Sequence, residues 1–404
     1  MKTIPRPRYI QHITGLLNKG MMIILVGQRR VGKSCLLHQL EDWLHENRPD
    51  SNVVYIDKEL QSFRHITNAE ELYDNVVGQL PMGTDNYLLV DEVQDIENYE
   101  DALRSLHAEE RCQVIATGSN AYIFSGELST RLAGRYFEVP VYSLDYREFL
   151  EFHGLEDSDS SLRDFLRIGG LPGLRLFPVD DEAHVMEYLN SVYSTVMLKD
   201  VLTREQVRNV TFIENLSGFL ADNVGKLVST STISGTMISQ GEKVTPSLTS
   251  TYLKYLCNAL LVDECRRYDI HGRKVFEQIA KYYFSDHGLR NFLCGFNVIE
   301  SIEKIMENVV YNHLRVQGFE VFVGVIRDGE VDFVAKRGGE RLYVQVTHQL
   351  SSEATIDREF GNLQRVKDAS PKYVVSMDPF PGEFKKYPGI RLVNLRKFLM
   401  TDFC

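Results

Sequence analysis

Met22-Ile23-Ile24-Leu25-Val26-Gly27-Gln28-Arg29-Arg30-Val31-Gly32-Lys33-Ser34 is the stretch on which the fold turns. Its apolar run is far too short to cross a bilayer and reads as a buried strand. The strand runs directly into a full match to the pattern GxxxxGK[ST]. An amphipathic helix follows, with Cys35, Leu36, Leu37, Leu40 and Trp43 at its apolar positions. Strand, glycine loop and helix together form a P-loop. The glycines let the chain turn tightly, so that backbone N–H groups and the helix N-terminus point at phosphate oxygens. Lys33 is placed to neutralise β- and γ-phosphates, and the Ser34 hydroxyl to ligate Mg²⁺. The expectation is ATP with Mg²⁺, cradled by Gly27, Gln28, Arg29, Arg30, Val31, Gly32, Lys33 and Ser34.

Working outward, a second strand is expected at Val53 to Ile56 and a third at Tyr87 to Val90. The third closes on Asp91-Glu92, which assigns Asp91 to the Mg²⁺ shell and Glu92 to the attacking water. A fourth strand, Gln113 to Ala116, leads into Thr117-Gly118-Ser119-Asn120. Polar side chains at that tip can sense a γ-phosphate or orient water. Asn120 is the first candidate, with Ser119 and Thr117 behind it, and the competing reading is a simple chain turn. Arg131 and Arg135, four apart on an expected helix, are candidate arginine fingers, in cis or toward a neighbouring subunit. A surface or internal salt bridge is the alternative for each. Strands alternating with helices at this spacing predict a parallel sheet covered on both faces.

These residues carry a family resemblance. The P-loop, Leu89-Val90-Asp91-Glu92-Val93-Gln94, Ala116-Thr117-Gly118-Ser119-Asn120 and Arg131-Leu132-Ala133-Gly134-Arg135 are similar to segments of prokaryotic AAA-superfamily ATPases of uncharacterised role. The resemblance continues through Tyr142 to Leu150 and Gly169-Gly170-Leu171-Pro172, and it covers nearly the whole chain. It implies roles for the first segments in Mg-ATP binding, sensing and hydrolysis.

The expected organisation is a P-loop AAA-type core over residues 1–150 and a helical lid over 151–225. Within the lid, Val185, Tyr188, Leu189, Val192 and Val196 recur at helical spacing. Residues 226–295 read as short helices followed by a wing strand, a winged helix-turn-helix with Ser247 to Leu260 in the recognition position. Ser247, Thr249, Ser250 and Lys254 are expected on the exposed side of that helix, with Arg266, Arg267, Arg273 and Lys274 beyond it. DNA contact is one reading, and a protein-interaction module that keeps only the fold is the other. His287 reads as structural.

Residues 296–404 show a helix bearing Glu307, a hairpin and a third strand, an arrangement similar to the restriction-endonuclease-like α/β core. Such a core needs an acid on one strand and acid–x–lysine on the next, to hold Mg²⁺ and steady the attacking water. Alternation puts Glu330 and Asp332 on one face, but the second element here is Gln345-Val346-Thr347. Threonine brings no ammonium, so the domain reads as degenerate and used in binding or assembly. The fold class expected overall is α/β.

Composition bounds the partners. With 404 residues, two or three domains are expected. The net charge of -11 argues against a protein coated in basic surface, while leaving room for a local basic face. Six scattered cysteines without zinc spacing fit a reducing, cytoplasmic setting. The first residues are polar, unlike a signal peptide. The expected function is ATP hydrolysis driving a switch toward DNA or a protein partner, within a homo-oligomer or alone and without a membrane. The alternative is a nucleotide-loaded DNA-binding or regulatory module with little turnover, and ATP-dependent nucleic-acid cleavage ranks third.

Overall fold

The computed structural model describes residues 3–121, 132, 134–327, 329–379, 382–383 and 385–403. The chain divides into two compact units, Met1–Tyr142 with Asn258–Leu260, and Ser143–Cys257 with Leu261–Cys404. The protein is α/β.

In the first unit, α1 (Pro7–Leu16) precedes β1 (Met22–Val26), all five of whose residues are buried. α2 (Lys33–Asn47), β2 (Asn52–Asp57), α3 (Ala69–Gln79), β3 (Asn86–Asp91), α4 (Tyr99–Ala108), β4 (Gln113–Gly118) and β5 (Tyr136–Pro140) follow. The strands form one parallel sheet in the order β2-β3-β4-β1-β5. A parallel sheet must be covered on both faces, which is why β1 and β3 are near-continuous apolar runs rather than alternating ones. On α2, Leu36, Leu37, Leu40 and Leu44 are fully buried. Each stabilises by roughly 1.5–3 kcal/mol relative to exposure. Cys35, expected on that apolar face, is exposed instead, and Leu44 completes the stripe.

All five strands run the same way, so their carboxyl ends share one edge. β4 lies between β3 and β1. The loop after β1, the acids closing β3 and the polar tip of β4 are therefore brought side by side, where open α/β sheets hold ligands.

The second unit opens with α5 (Tyr146–His153), α6 (Asp159–Ile168), α7 (Glu182–Thr195), a π-helical turn at Val196–Thr203, and α8 (Val210–Asp222). It begins at Ser143 rather than after residue 150, because Leu144 N–H bonds to the Gly170 carbonyl at 2.7 Å. α9 (Thr230–Ser239), α10 (Pro246–Asn258) and the antiparallel hairpin β6 (Val262–Asp269) and β7 (Lys274–Phe284) come next. α11 (His287–Leu293) is capped by Asp286. Then come α12 (Ile302–Val316), β8 (Glu320–Ile326), β9 (Gly329–Arg337), β10 (Glu340–Val346), α13 (Glu353–Gln364), β11 (Lys372–Ser376), β12 (Gly382–Glu383), β13 (Ile390–Asn394) and α14 (Leu395–Leu399).

Two expectations are corrected here. The hairpin and the terminal strands were expected in separate domains divided at 295/296. They form one sheet of order β12-β13-β11-β10-β9-β8-β6-β7, with Arg267 to Asp269 of β6 paired in parallel with Val323 to Val325 of β8. An edge strand needs a hydrogen-bonding partner, and the hairpin supplies it. Thr249, expected on the exposed side of α10, is fully buried, while Ser247 and Lys254 are exposed.

A buried polar knot ties this unit together. The Asp286 carboxylate accepts N–H groups from Gly170 and Gly288, each at 2.9 Å, and from Leu289 at 3.3 Å. Gly169 sits at φ +88°, and a Cβ there would stand 2.6 Å from the Gly288 backbone. The glycines of Gly169-Gly170-Leu171-Pro172 thus allow two segments of the chain to touch. His287 donates from Nε2 to the Phe165 carbonyl at 2.7 Å and is buried, a structural placement.

Candidate nucleotide site

Gly32 stands at the start of α2 with φ 99°, a conformation that favours glycine. It turns the chain so that the helix N-terminus faces the loop. Gly27 is required by space, since a Cβ there would lie 2.1 Å from the Val141 carbonyl oxygen. The Lys33 ammonium is buried and donates to the carbonyls of Gly27 at 2.8 Å and Gln28 at 3.1 Å, so it lies inside the loop it closes. Arg29 is buried, its guanidinium 3.8 Å from the Glu59 carboxylate, while Arg30 is exposed at φ 71°.

Asp91 is buried at the end of β3. The Thr117 hydroxyl donates to it at 2.5 Å, and the Ser34 hydroxyl is hydrogen-bonded to it as well. Burial pushes the Asp91 carboxyl above its ordinary range, and those two hydroxyls pull against the rise. A hydroxyl and a carboxylate in contact at the mouth of a P-loop are the oxygen donors that Mg²⁺ prefers.

Glu92 adopts φ 54°, unusual for a residue with a side chain. Its N–H donates to the Thr117 hydroxyl oxygen at 2.9 Å, which holds that turn. Thr117 therefore joins both acids through one oxygen. Burial acts to raise the Glu92 carboxyl, but Lys33 and Arg29 outweigh it, with hydrogen bonds from Gln94 and Ser119, and the net shift is downward. Glu92 stays a carboxylate at neutral pH. Asn120, the sensor candidate, is buried just beyond the end of β4.

The arginines come out differently. Arg131 lies outside the described residues. Arg135 is exposed, and its carbonyl accepts the N–H of Met22 at 3.0 Å, which places it at the amino end of β1. The P-loop follows the carboxyl end, a strand length of about 15 Å away. Arg135 also precedes β5 in a turn rather than on a helix. It does not serve its own site, because parallel strands separate their two ends.

Three residues, Arg6, Gln94 and Lys281, escaped the sequence reading as functional groups. Arg6 is buried and donates to the carbonyls of Val31, inside the loop, and Tyr142, each at 3.1 Å. Gln94 donates to the carboxylate of Glu92. Its spacing, two residues past the acid, was the available signal. Gln28, an expected loop residue, is buried, and among the described residues neither of its amide atoms has a hydrogen-bond partner, which suits a loop built for a polyanionic ligand. The third missed residue is Lys281 on β7, a single ammonium among Ala280, Tyr282, Tyr283 and Phe284.

Lys281 lies in the second unit, at the acids expected for a nuclease-like centre. Its Nζ stands 2.9 Å from Glu307, 2.7 Å from Glu330 and 3.5 Å from Asp332. It is only 3% exposed. The three carboxylates raise its pKa well above the lysine range despite burial, which acts to lower it. Asp332 is pushed up to about 8 by burial and by the Glu307 charge, against the pull of Lys281 and the Val346 N–H. Gln345 approaches as expected, its Oε1 accepting the Asp332 N–H at 3.3 Å.

Residues 19–150 match the family described as "AAA domain", and residues 159–300 match one described as a domain of unknown function. An uncharacterised protein of Haemophilus influenzae is 32% identical over 404 residues, covering 98% of each chain. An uncharacterised protein of Methanocaldococcus jannaschii is 26% identical over 361 residues, 85% of this chain and 78% of that one. Among solved structures, the Aeropyrum pernix Orc1 protein in complex with DNA aligns with a TM-score of 0.33 at 13% identity, over 74% of this chain and 95% of that one. AMPPCP-bound DnaA from Aquifex aeolicus aligns at 0.31 and 17%, over 54% and 78%. No helix among the described residues is long and apolar enough to cross a membrane.

Proposed function

We propose an ATP-driven switch for this chain, which belongs to the family of the full-length Haemophilus influenzae relative and whose residues 19–150 are an AAA domain. The observation that carries the reading is the joint placement of Lys33, Ser34, Asp91, Thr117 and Glu92 at one sheet edge. Backbone N–H groups of Gly27 to Ser34 and the Lys33 ammonium bind the triphosphate. Ser34 and Asp91 hold Mg²⁺, which when bound supplies charge neutralisation on the phosphate oxygens. Glu92, kept ionised by Lys33 and Arg29, orients water and accepts its proton. Asn120 senses the γ-phosphate. Loss of that phosphate releases whatever the loop and β4 tip hold together, which is how hydrolysis becomes a conformational signal.

The partner proposed is DNA, met through a winged-helix module made of α8, α9, α10 and the β6–β7 hairpin. Arg266, Arg273 and Lys274 are exposed there beside Val275 and Phe276, a basic and apolar surface on an otherwise acidic chain. The terminal β8–β13 region is proposed to be a restriction-endonuclease-like core that serves assembly, and the setting is cytoplasmic. Because Arg135 stands at the opposite end of β1 from its own P-loop, it would act as an arginine finger only on a neighbouring subunit.

Isothermal titration with ATP in the presence of Mg²⁺ tests the nucleotide part. Wild type is expected to bind one ATP per chain, with binding lost in Lys33→Ala. Equal binding by both would remove the P-loop from the account.

A further inference from the structure

We propose that the Lys281 ammonium is the resident cation of the terminal acidic centre, seated where a divalent metal would sit and excluding it. Three carboxylates come to this point from two elements, Glu307 on α12 and Glu330 and Asp332 on β9, while the cation arrives from β7. An ammonium has three hydrogens to donate and no lone pair. It meets three acceptors here, so its donor count is matched. A divalent ion needs six or more oxygen atoms turned toward one centre.

Some of the carboxylate oxygens have partners besides the ammonium. Asp332 Oδ2 accepts the Val346 N–H at 2.8 Å, and Glu307 Oε1 accepts both Lys281 and the Tyr283 hydroxyl, the latter at 2.6 Å. The other Glu307 oxygen is covered by Gly225, where even a Cβ would stand 2.5 Å away. The position beside β9 where a catalytic lysine was sought holds Thr347, and its ammonium comes from another strand with a different task. Lys281 does not activate water. It neutralises acids that would otherwise repel one another, and it keys the β6–β7 hairpin to the terminal sheet, since β7 is an edge strand of that sheet.

The inference concerns the second unit and stands apart from the nucleotide reading. The test uses the full chain carrying Asp91→Ala, without nucleotide, so that the P-loop adds no metal of its own. Mn²⁺ is titrated calorimetrically at pH 8 into each protein. With Lys281 in place no saturable site dependent on Asp332 is expected. Lys281→Met is expected to bind one Mn²⁺ at least about tenfold more tightly, because the vacated carboxylates become metal ligands. Adding Asp332→Asn to Lys281→Met should abolish the gain. A Mn²⁺ site in the Lys281 protein that Asp332→Asn removes would overturn the proposal, as would Lys281→Met showing no gain. Should Lys281→Met unfold, recovery of folded protein on adding Mn²⁺ counts as the gained site. No recovery with Mn²⁺, Mg²⁺ or Ca²⁺ overturns it.

Discussion

Thr117→Val keeps the shape of a fully buried side chain and removes one oxygen. That oxygen donates to Asp91 at 2.5 Å and accepts from Glu92 N–H at 2.9 Å. A hydrogen bond to a charged group contributes about 1.5–3 kcal/mol, and a stranded buried N–H costs about 1–3 kcal/mol. Partial relaxation trims the sum, so a stability loss of about 2–4 kcal/mol is expected. The effect on turnover should exceed that of a generic core change, because Glu92 sits at φ 54° and this bond holds its backbone. Misplacing a water-orienting group by about 1 Å costs on the order of a hundredfold. Urea denaturation and phosphate release on the same preparations read both effects, with Thr117→Ser as the control that keeps the hydroxyl. Thr117→Val with wild-type stability and turnover within about twofold would refute the claim that one hydroxyl couples the two acids.

Other predictions follow from separate parts of the molecule. Asp286→Ala strands the N–H groups of Gly170, Gly288 and Leu289 and should lower the denaturation free energy by about 3 kcal/mol or more; a loss below about 1 kcal/mol would show that the knot is dispensable. The Asp332 carboxyl has a folded pKa of about 8, above its unfolded value. The stabilisation from holding that proton is complete below about pH 4 and falls as pH rises toward 8, at up to about 1.4 kcal/mol per pH unit. Asp332→Asn should therefore flatten the fall in stability between pH 5 and pH 8, and identical slopes would count against the burial of that acid. Neutralising Arg266, Arg273 and Lys274 together should shrink the salt slope of DNA binding by about 0.9 per lost phosphate contact. An unchanged slope would move the DNA surface elsewhere.

The first unit was legible because its signals are local. A strand that must be buried on both faces declares itself by Met22 to Val26, and a phosphate loop by its glycines and lysine. The order β2-β3-β4-β1-β5, which sets Asp91 and Thr117 side by side, comes from the folded sheet. What was hidden depends on tertiary convergence. Lys281 lies 26 residues before Glu307 in the chain, on a strand with no acid pattern of its own, so no spacing rule pairs them. Thr249 was misplaced because helix periodicity around Ser247 to Lys254 is weak, with small polar residues on both faces. The winged-helix and terminal segments were read as separate domains because each looks self-sufficient in sequence. An unpaired strand edge is a property of the folded sheet, and only the structure shows β6 satisfying the edge of β8. Arg135 was read as near the site from its place after the β4 tip, yet the chain must return to the amino edge of the sheet before β5 can run parallel.

The most direct measurement follows bound ATP and released phosphate together in one single-turnover experiment on wild type and Glu92→Gln with Mg²⁺. Wild type should convert its bound ATP to phosphate. Glu92→Gln should retain about one ATP per chain while releasing phosphate about a hundredfold or more slowly, the contribution expected of a positioned general base. Phosphate release at the same rate from both proteins would contradict the account, because the carboxylate kept ionised by Lys33 and Arg29 and bonded by Gln94 would then have no part in the chemistry.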